Sequence, residues 1–319
     1  MKVFTKQLVG VALALVSGIA AAQFPTKPIR IVVPYAPGST LEPIVRAIGD
    51  DMSQTLKQPV VIEYKPGAST TIGAAYTAAA PADGHTLFVN AASFLISAQL
   101  MSKLPYNPQT AFVPITGLAE SAHVLISPIG SPHKTAKEFI AHSKANGANM
   151  SYGSFGNASS GHLGFERMKK LYGFTATHIP YKGNEGLQDI IAGRLDSMLN
   201  DLPVVIPFAK DSKIRALAIA TDKRDPNLPD VPTFEEATGV PFQSKSWFGI
   251  LVRAETPAAI RSTLNTAITS ALRKPEIAKK LTDLGVKPTP STSEAFAEFM
   301  AQESKRFADA IAFANVRME

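Results

Sequence analysis

The chain has 319 residues, of which 45% are hydrophobic and 18% are charged, and its formal net charge is +6 at pH 7. It contains no cysteine, which excludes a disulfide framework, thiol catalysis and thiolate metal sites. The basic residues do not cluster with interleaved aromatic residues, so the charge indicates a general attraction for small anions and no nucleic-acid surface.

Residues 1–22 have the pattern of a secretory signal. Lys2 and Lys6 precede the apolar run LVGVALALVSGIAAA, which ends in an Ala-x-Ala pattern, so we predict cleavage before Gln23. The alternative is an uncleaved membrane anchor, but the run is shorter than the roughly 20 residues that span a bilayer. Export of a chain without cysteine is typical of the bacterial periplasm, and we predict that location.

The first part of the remaining chain alternates between strand and helix patterns. IRIVVPY, PVVIEY and HTLFVN are rich in β-branched residues and read as strands. Between them, the apolar residues at 41–57 recur every three or four positions, and the small-residue stretch TTIGAAYTAAA also predicts a helix. This alternation predicts an α/β fold with a largely parallel sheet.

The same alternation continues to the end of the chain. HVLISP, MSYGS, THIPY, LDSMLND, KIRALAIAT and SWFGILV predict strands, and TAKEFIAHSKAN, residues 162–172 and EGLQDIIAG predict helices, with Gly147 and Gly173 as stops. Charged amphipathic helices follow. The length predicts two domains, and the short turns without a flexible linker predict that the chain crosses between them more than once.

The turn in PYAPGSTLEP, between the first strand and its helix, carries hydroxyl groups. Ser39 and Glu42 match a capping box, but that register puts Pro43 where its missing N–H would break the first helical bond. Thr40 as N-cap tolerates Pro43 within the first turn. We therefore predict Thr40 as the cap, which leaves Ser39 and the N–H groups of the turn free to meet an anion.

Two later turns have the same form. In MSYGSFGNASSGHLGFERMKKLYG a polar loop leads to a helix capped by Ser159 or Ser160, and in HIPYKGNEGLQDIIAG a Lys-Gly turn leads to a helix capped by Asn184. Such turns lie at the carboxyl edge of a parallel sheet, where α/β proteins hold ligands. Three of them could converge on one carboxylated ligand. The alternative is that these are ordinary helix caps without a ligand.

A set of motifs along the chain is similar to those of a known family. They are FPTKPIRIVVPYAPGST, PVVIEYKPGAST with TIGAA and PADGHTL, LPYNPQTAFVPIT, YGSFGNASSGHL, HIPYKGNEGLQDIIAGRLDSMLNDLP, KIRALAIATDKRDPNLPDVPTFEEATG and SWFGILVRAETP. Together they resemble the Bug family, the periplasmic solute receptors associated with tripartite tricarboxylate transporters. The resemblance covers essentially the whole chain after the signal.

The resemblance implies a two-domain periplasmic binding protein of type II, a Venus flytrap in which each lobe is a mixed sheet flanked by helices. Lobe 1 is then residues 23–124 plus 248–319, and lobe 2 is residues 125–247. It further implies a monomer without cofactor or metal that closes on a small carboxylate. Its partners are the membrane components of a tripartite tricarboxylate transporter, or a sensor.

The resemblance also implies ligand-binding residues in the turns and at the ends of the strands. In lobe 1 these are Tyr35, Ala36, Gly38, Ser39 and Thr40, with Asn90 and Ser93 as part of the wall. In lobe 2 they are Ser154, Gly156, Asn157, Ser159, Ser160, His162, Tyr181, Lys182, Gly183, Asn200 and Asp201.

The opening turn departs from the family pattern, which has a second glycine and then, after one residue, Thr-Asp. This chain has Ser39 in place of that glycine, and Leu41-Glu42 in place of Thr-Asp. Leu41 makes the site more apolar and suits an aromatic or longer aliphatic acid, unless it only packs in the core. Glu42 could repel a carboxylate, receive a ligand amine, or do neither at a helix start.

A secreted serine hydrolase acting on esters is the alternative function. NASSG and YGSFG each miss the G-x-S-x-G nucleophile elbow by its first glycine, and His162 with Asp201 could serve as base and orienting acid. In that fold the acid normally precedes its histidine in sequence, whereas Asp201 follows His162. Metalloprotease, dinucleotide and P-loop motifs are absent from the sequence.

The aromatic pair Trp247 and Phe248 in KSWFGIL is a further candidate. A lone tryptophan beside a phenylalanine is more often part of a core. The pair nevertheless lies where the chain is expected to return to the first lobe, so we keep it as a candidate for the region between the lobes.

Overall fold

The computed structural model describes residues 24–183 and 185–314. The predicted signal segment, its cleavage site before Gln23 and the predicted N-cap Asn184 lie outside the described residues. Within the described part of the chain, no helix combines the length and apolar character needed to cross a bilayer.

The strands and helices alternate as the sequence predicts. The strands are β1 (Ile29–Val33), β2 (Val60–Tyr64), β3 (Thr86–Ala91), β4 (Phe112–Pro128), β5 (Ser151–Ser154), β6 (Thr177–Pro180), β7 (Ser197–Asp201), β8 (Ile214–Ile219), β9 (Lys245–Arg253) and β10 (Lys287–Pro288). The helices are α1 (Leu41–Leu56), α2 (Thr71–Ala78), α3 (Ala92–Leu100), α4 (Ala136–Asn146), α5 (Ser160–Tyr172), α6 (Glu185–Ile191), α7 (Leu202–Lys210), α8 (Phe234–Thr238), α9 (Ala258–Arg273), α10 (Pro275–Asp283) and α11 (Ser293–Ala314).

The strands form a mixed sheet in the order β2-β1-β3-β9-β4-β7-β5-β6, with β8 and β10 also paired to β4. Strand β1 is parallel to β2 and β3, and β5 is parallel to β6 and β7. Strands β9 and β4 are antiparallel to their neighbours. The sheet therefore has a parallel group at each end, joined by two long antiparallel strands.

Strand β4 is longer than the predicted HVLISP segment. It begins at Phe112 and pairs with β9 as far as Ala122, and from His123 onward it pairs with β7 and β8. Its first part contains Pro114 and Gly117, which weaken a strand pattern, and the register with β9 shifts beside both residues. These irregularities hid the first part of β4 from the sequence pattern.

Each parallel group has its own hydrophobic core. Around β1 and β3, buried side chains of α1 and α9 such as Ile48 and Ile268 pack on the sheet. Around β5 and β7, α4 and α5 supply Phe139 and Phe165 to a second core. Burial of each such side chain contributes roughly 1.5–3 kcal/mol, so each group of strands carries its own stabilising core.

Helices α1 and α5 place their first residues at the carboxyl ends of β1 and β5. The predicted apolar stripe of α1, from Leu41 to Met52, is buried against the sheet. Helix α5 ends at Gly173, which has φ = 69° as a left-handed C-cap. The packed stripe and the two ends fix where both helices begin, and this sets the position of the site.

Candidate functional site

A cavity of about 50 Å³ lies where helices α1, α3, α5 and α7 begin. One water molecule needs roughly 10–15 Å³, so the cavity has room for a few water-sized groups. The residues that line it are Tyr35, Ser39, Thr40, Leu41, Ala91, Ala92, Ser93, His123, Phe155, Ser159, Ser160, Gly161, Leu199, Asp201, Ser246, Trp247 and Phe248.

A larger groove of about 790 Å³ lies between α5 and α11. Its lining is mostly long and charged, and includes Arg167, Lys170, Lys305, Arg306 and Asp309. The cavity at the helix starts has a more suitable construction for a small ligand, because helix N-termini and hydroxyl groups meet there over an apolar wall. We therefore take that cavity as the candidate site.

The first turn uses its polar groups differently from the prediction. Helix α1 begins directly after Thr40, as predicted, but the Thr40 side chain makes no capping bond. Its Oγ1 instead donates to Asp201 Oδ2 at 2.8 Å. The Gly38 N–H donates to Glu42 Oε2 at 2.6 Å and is therefore not free for an anion. Ser39 lines the cavity, and its Oγ is buried without a hydrogen-bond partner.

Glu42 is directed away from the cavity. Besides the Gly38 N–H, its carboxylate binds the Arg46 side chain at 2.6 Å. The Gly38 N–H and then the Arg46 guanidinium hold the pKa of Glu42 below its usual range. Glu42 therefore stabilises the turn and the first turn of α1, and it does not line the cavity.

Tyr35 and Ser93 form a second polar group on the same wall. The Tyr35 hydroxyl donates to Ser93 Oγ at 3.1 Å. Burial raises the pKa of Tyr35 to about 12, and the charge of Asp201 adds to the increase. The hydroxyl is therefore protonated at neutral pH and remains a donor on this wall.

On the opposite wall, helix α5 begins with two serines in different roles. Ser159 is the N-cap, and its Oγ accepts from the His162 backbone N–H at 3.3 Å. Ser160 Oγ lies 2.8 Å from Ser246 Oγ on β9 and 3.5 Å from His123 Nε2 on β4. The start of α5 is thereby tied to both long strands.

Asp201 lies at the end of β7 and is only 7% exposed. Its Oδ2 accepts from Thr40, which links the two walls of the cavity directly. Its Oδ1 is buried and makes no hydrogen bond, and the nearest cation-capable atom is His123 Nε2 at 3.4 Å. Asp201 therefore presents an unused acceptor to the cavity.

The electrostatics of the cavity come from the backbone. Four helices begin at its walls, and each places partial positive charge at its N-terminus. Among the residues that the structure describes, neither lysine nor arginine lines the cavity, and no cluster of His, Asp and Glu could hold a metal ion. The site is therefore suited to a small anion that is held by N–H groups and hydroxyls.

The remaining lining is apolar. Phe155, Leu199, Trp247 and Phe248 contribute to it, and Leu41 is 1% exposed while also belonging to the core around α1. Leu41 therefore packs in the core and also lines the cavity, and its predicted preference for an aromatic or longer aliphatic acid stays a prediction. The predicted pair of Trp247 and Phe248 lies at the cavity, where β9 crosses the sheet.

The structure brings only part of the predicted set to the cavity. Tyr35, Ser39, Thr40, Ser93, Ser159, Ser160 and Asp201 line it. The other predicted residues lie elsewhere, and they are Ala36, Gly38, Asn90, Ser154, Gly156, Asn157, His162, Tyr181, Lys182, Gly183 and Asn200.

Several of these other residues stabilise the loop before α5. Ser154 Oγ donates to the Gly156 carbonyl at 2.9 Å and lies 2.7 Å from His178 Nε2. The His162 ring stacks on His178 with centroids 3.8 Å apart, and its Nδ1 accepts from the Ala158 N–H. Burial lowers the pKa of His162 to about 4. These groups hold the loop in shape and use their polar atoms in doing so.

The third predicted turn, Asn90 and Asn200 make contacts away from the cavity. The Tyr181 hydroxyl donates to Asp189 Oδ2 at 2.8 Å, which directs it toward α6. Asn200 Oδ1 accepts from the Asp201 N–H at 2.8 Å. Asn90 is fully buried on β3, and its Nδ2 contacts Met300 Sδ at 3.4 Å. Lys182 and Gly183 lie in the turn after β6.

Sequence reasoning missed the cavity residues that come from the long strands. His123 and Ser246 lie on the adjacent strands β4 and β9, and His123 binds Ser244 and Ser246 with its two ring nitrogens at 2.8 and 3.1 Å. Neither residue was among the predicted site residues. The available signal was that polar residues interrupt two otherwise apolar strands that cross between the lobes.

The polar cluster does not have the geometry of a hydrolase triad. A triad histidine meets its acid through Nδ1 and its serine through Nε2. Here Asp201, Ser160 and Ser246 all lie around Nε2 of His123, and Nδ1 faces Ser244. The predicted base His162 is occupied by its stack on His178. These described residues therefore do not form an acid–histidine–serine triad.

Known sequences are similar to this chain over most of its length. A family model described as "Tripartite tricarboxylate transporter family receptor" matches residues 44–316. A UPF0065 protein in the tcbD-tcbE intergenic region of Pseudomonas sp. (strain P51) is 31% identical over 94% of this chain and 91% of its own length. Protein BugT of Bordetella pertussis is 27% identical over 92% of this chain and 91% of its own length.

Solved structures of solute receptors are similar to the fold. R. palustris Rpa4515 with adipate has a TM-score of 0.88 at 29% identity and covers 92% of this chain and 99% of its own. Periplasmic binding protein BugD has a TM-score of 0.86 at 27% identity, with 93% and 100% covered. MatC from Rhodopseudomonas palustris with bound malate has a TM-score of 0.83 at 31% identity, with 90% and 100% covered. The predicted two-lobe, type II fold and the resemblance to Bug proteins are both confirmed.

Proposed function

The chain belongs to the tripartite tricarboxylate transporter receptor family, and from this premise we propose that it captures a small carboxylate in the cavity between its lobes. Its relatives in structure are periplasmic solute-binding proteins. The proposal includes delivery of the ligand to the membrane components of a tripartite transporter, or its presentation to a sensor.

The observation that supports the proposal most strongly is the construction of the cavity. Four helix N-termini meet there, and Ser39 Oγ is buried without a partner beside them. An unpaired buried hydroxyl costs about 1–3 kcal/mol, and a carboxylate oxygen would satisfy it. Two of the neighbours in structure hold adipate and malate, which are both carboxylates.

In this proposal the lobes are residues 23–124 plus 248–319 and residues 125–247, and β4 and β9 connect them. Ser39 and Ser93 belong to the first lobe, and Ser159, Ser160 and Asp201 belong to the second. A ligand that contacts both sets favours the closed form, because only closure engages both at once. Binding then shifts the lobes without any chemical step.

We further propose that the protein has no catalytic activity and acts as a monomer in the periplasm after removal of residues 1–22. Two observations support the first point: His123, which lies near Ser160, has Ser244 and no carboxylate at Nδ1, and the predicted base His162 stacks on His178. Family membership supports the location.

Thermal unfolding of the protein with a panel of mono-, di- and tricarboxylates, together with an ester hydrolysis assay, tests the proposal. A ligand at 100 times its dissociation constant adds about 2.7 kcal/mol to the free energy of unfolding. We expect at least one acid to raise the melting temperature and no ester turnover. Ester turnover that is lost in Ser159→Ala, with no acid shifting the transition, would contradict the proposal.

A further inference from the structure

Asp201 lines the cavity and has one carboxylate oxygen that makes no hydrogen bond in the protein. We propose that the ligand is an apolar α-amino acid, with its carboxylate at the helix N-termini and its ammonium group facing Asp201 Oδ1. This inference rests on the proposed function, since it assigns a ligand class to the same cavity.

Hydrogen bonding at Asp201 favours a ligand group that donates. An ionised carboxylate can only accept hydrogen bonds. Asp201 lines the cavity; Thr40 already donates to its Oδ2, while its Oδ1 is buried and makes no hydrogen bond. The His123 Nε2 atom, 3.4 Å from Oδ1, also lies 3.1 Å from Ser246 Oγ, which competes for any proton there. A ligand group next to Oδ1 must therefore donate a hydrogen bond.

The charge of the cavity lining favours a zwitterion over a dicarboxylate. In the part of the chain that the structure describes, no lysine or arginine lines the cavity, and Asp201 adds a negative charge to it. A buried charge is costly unless it is paired. A dicarboxylate would bring two negative charges, one of them toward Asp201, whereas a zwitterion pairs its carboxylate with the helix N-termini and its ammonium with Asp201.

The apolar part of the cavity lining indicates the side chain of the ligand. Leu41, Phe155, Leu199 and Phe248 supply an apolar wall, and Leu41 stands where the family pattern has a threonine. The cavity is small, about 50 Å³. A short aliphatic side chain fits this apolar wall better than a second polar group.

Calorimetric titration with three matched ligands tests the inference. They are L-valine, 2-hydroxy-3-methylbutanoate and 3-methylbutanoate, which share one carbon skeleton and carry an ammonium, a hydroxyl or hydrogen at the second carbon. Malate, adipate and citrate complete the panel. We expect L-valine to bind tightest, and 3-methylbutanoate to bind about ten- to a hundredfold more weakly, as for loss of a charged hydrogen bond.

The variant Asp201→Asn keeps the size of the side chain and its ability to accept from Thr40, but it offers an amide in place of the charge. We expect it to lose affinity for L-valine about tenfold or more and to gain affinity for dicarboxylates. The exposed Asp222→Asn is the matched control and leaves both affinities unchanged.

The outcomes separate this inference from the proposed function. Tightest binding of malate, adipate or citrate by the unmodified protein, or equal affinity for the three matched acids, would overturn the amino acid assignment and leave the receptor function intact. Failure of every acid in the panel to bind would overturn both.

Discussion

Ser39 and Ser127 each bury a hydroxyl oxygen that has no hydrogen-bond partner, but only Ser39 faces the cavity. Ser127 lies on β4 away from the site and is fully buried. Because both residues bury an unpaired hydroxyl group and only Ser39 lines the cavity, substitutions at the two positions distinguish a role in ligand binding from a role in stability.

We predict that Ser39→Ala weakens binding of the carboxylate ligand about ten- to a hundredfold, because a hydrogen bond to a charged group is worth about 1.5–3 kcal/mol. The free energy of unfolding without ligand should change by less than about 0.5 kcal/mol or increase, since no bond in the protein is lost. Titration calorimetry and denaturant unfolding measure the two quantities. The matched control Ser127→Ala should leave the affinity unchanged, and equal affinities of both variants would contradict the role of Ser39.

At the residue scale, the sequence correctly predicted that the first two turns meet at the cavity, but it did not predict that the third turn lies elsewhere or which atoms remain free. Thr40 was correctly placed before α1, yet its hydroxyl binds Asp201, a contact between positions far apart in sequence. Ser154 and Tyr181 were predicted to bind the ligand, as Ser39 was. Their hydroxyl groups instead form hydrogen bonds with His178 and Asp189. Such competition for polar atoms is decided by tertiary packing, which a local pattern does not contain.

At the scale of elements, α5 and β6 are joined through their histidines. His162 on α5 and His178 on β6 stack, and Ser154 at the end of β5 binds His178. Burial lowers the pKa of His162 to about 4 and that of His178 to about 3. The pair is thus neutral in the folded protein at pH values where a free histidine is charged.

We predict that acidification from pH 7 to pH 4.5 lowers the melting temperature by several degrees. In the unfolded chain both histidines titrate near pH 6.5, so below that pH the unfolded state binds more protons than the folded state. Stability therefore falls as pH decreases through this window and is fully present above it. Thermal unfolding across the pH range measures the effect.

The variant His162→Phe, which keeps an aromatic ring against His178, should reduce this pH dependence. It should not abolish it, because burial lowers the pKa of His133 to about 4 as well. An unchanged slope in His162→Phe, or a melting temperature that does not respond to pH between 7 and 4.5, would contradict the account of the stacked pair.

Most elements could be predicted from local patterns because each has a clear period and clear ends. The stripe of α1 and the left-handed Gly173 after α5 are examples. Strand β4 was only half predicted, since Pro114 and Gly117 interrupt its first part and its pairing with β9 is long-range. His123 and Ser246 were missed with it, because both become cavity residues only through that pairing.

At the scale of the whole molecule, hydrogen bonds such as those of Thr40 and Ser69 join the two proposed lobes. Thr40 Oγ1 donates to Asp201 Oδ2 at 2.8 Å, and Ser69 Oγ donates to the Asn157 carbonyl at 3.0 Å. Ser69 lies in a turn whose residues 68–70 all have positive φ, a conformation that costs energy outside glycine. These contacts stabilise the present arrangement of the lobes, which the proposed mechanism assigns to the closed form.

We predict that Thr40→Val destabilises the closed arrangement, because it removes the donor and leaves Asp201 Oδ2 buried without a partner. The cost is about 1–3 kcal/mol, which should appear as a lower melting temperature, a larger radius of gyration in solution scattering without ligand, and weaker ligand binding. Thr263→Val, which removes an exposed bond within α9, is the control. Identical scattering and stability in Thr40→Val would contradict a closing role for this contact.

The most direct test of the central claim, that a carboxylate binds in this cavity, is the ligand-induced shift in melting temperature of Ser39→Leu. Leucine at this position fills the cavity, whereas the control Ser102→Leu adds the same side chain at an exposed site. We expect the ligand to raise the melting temperature of the unmodified protein and of Ser102→Leu clearly, and to leave that of a folded Ser39→Leu unchanged. An equal shift in all three proteins would place the ligand elsewhere and contradict the account.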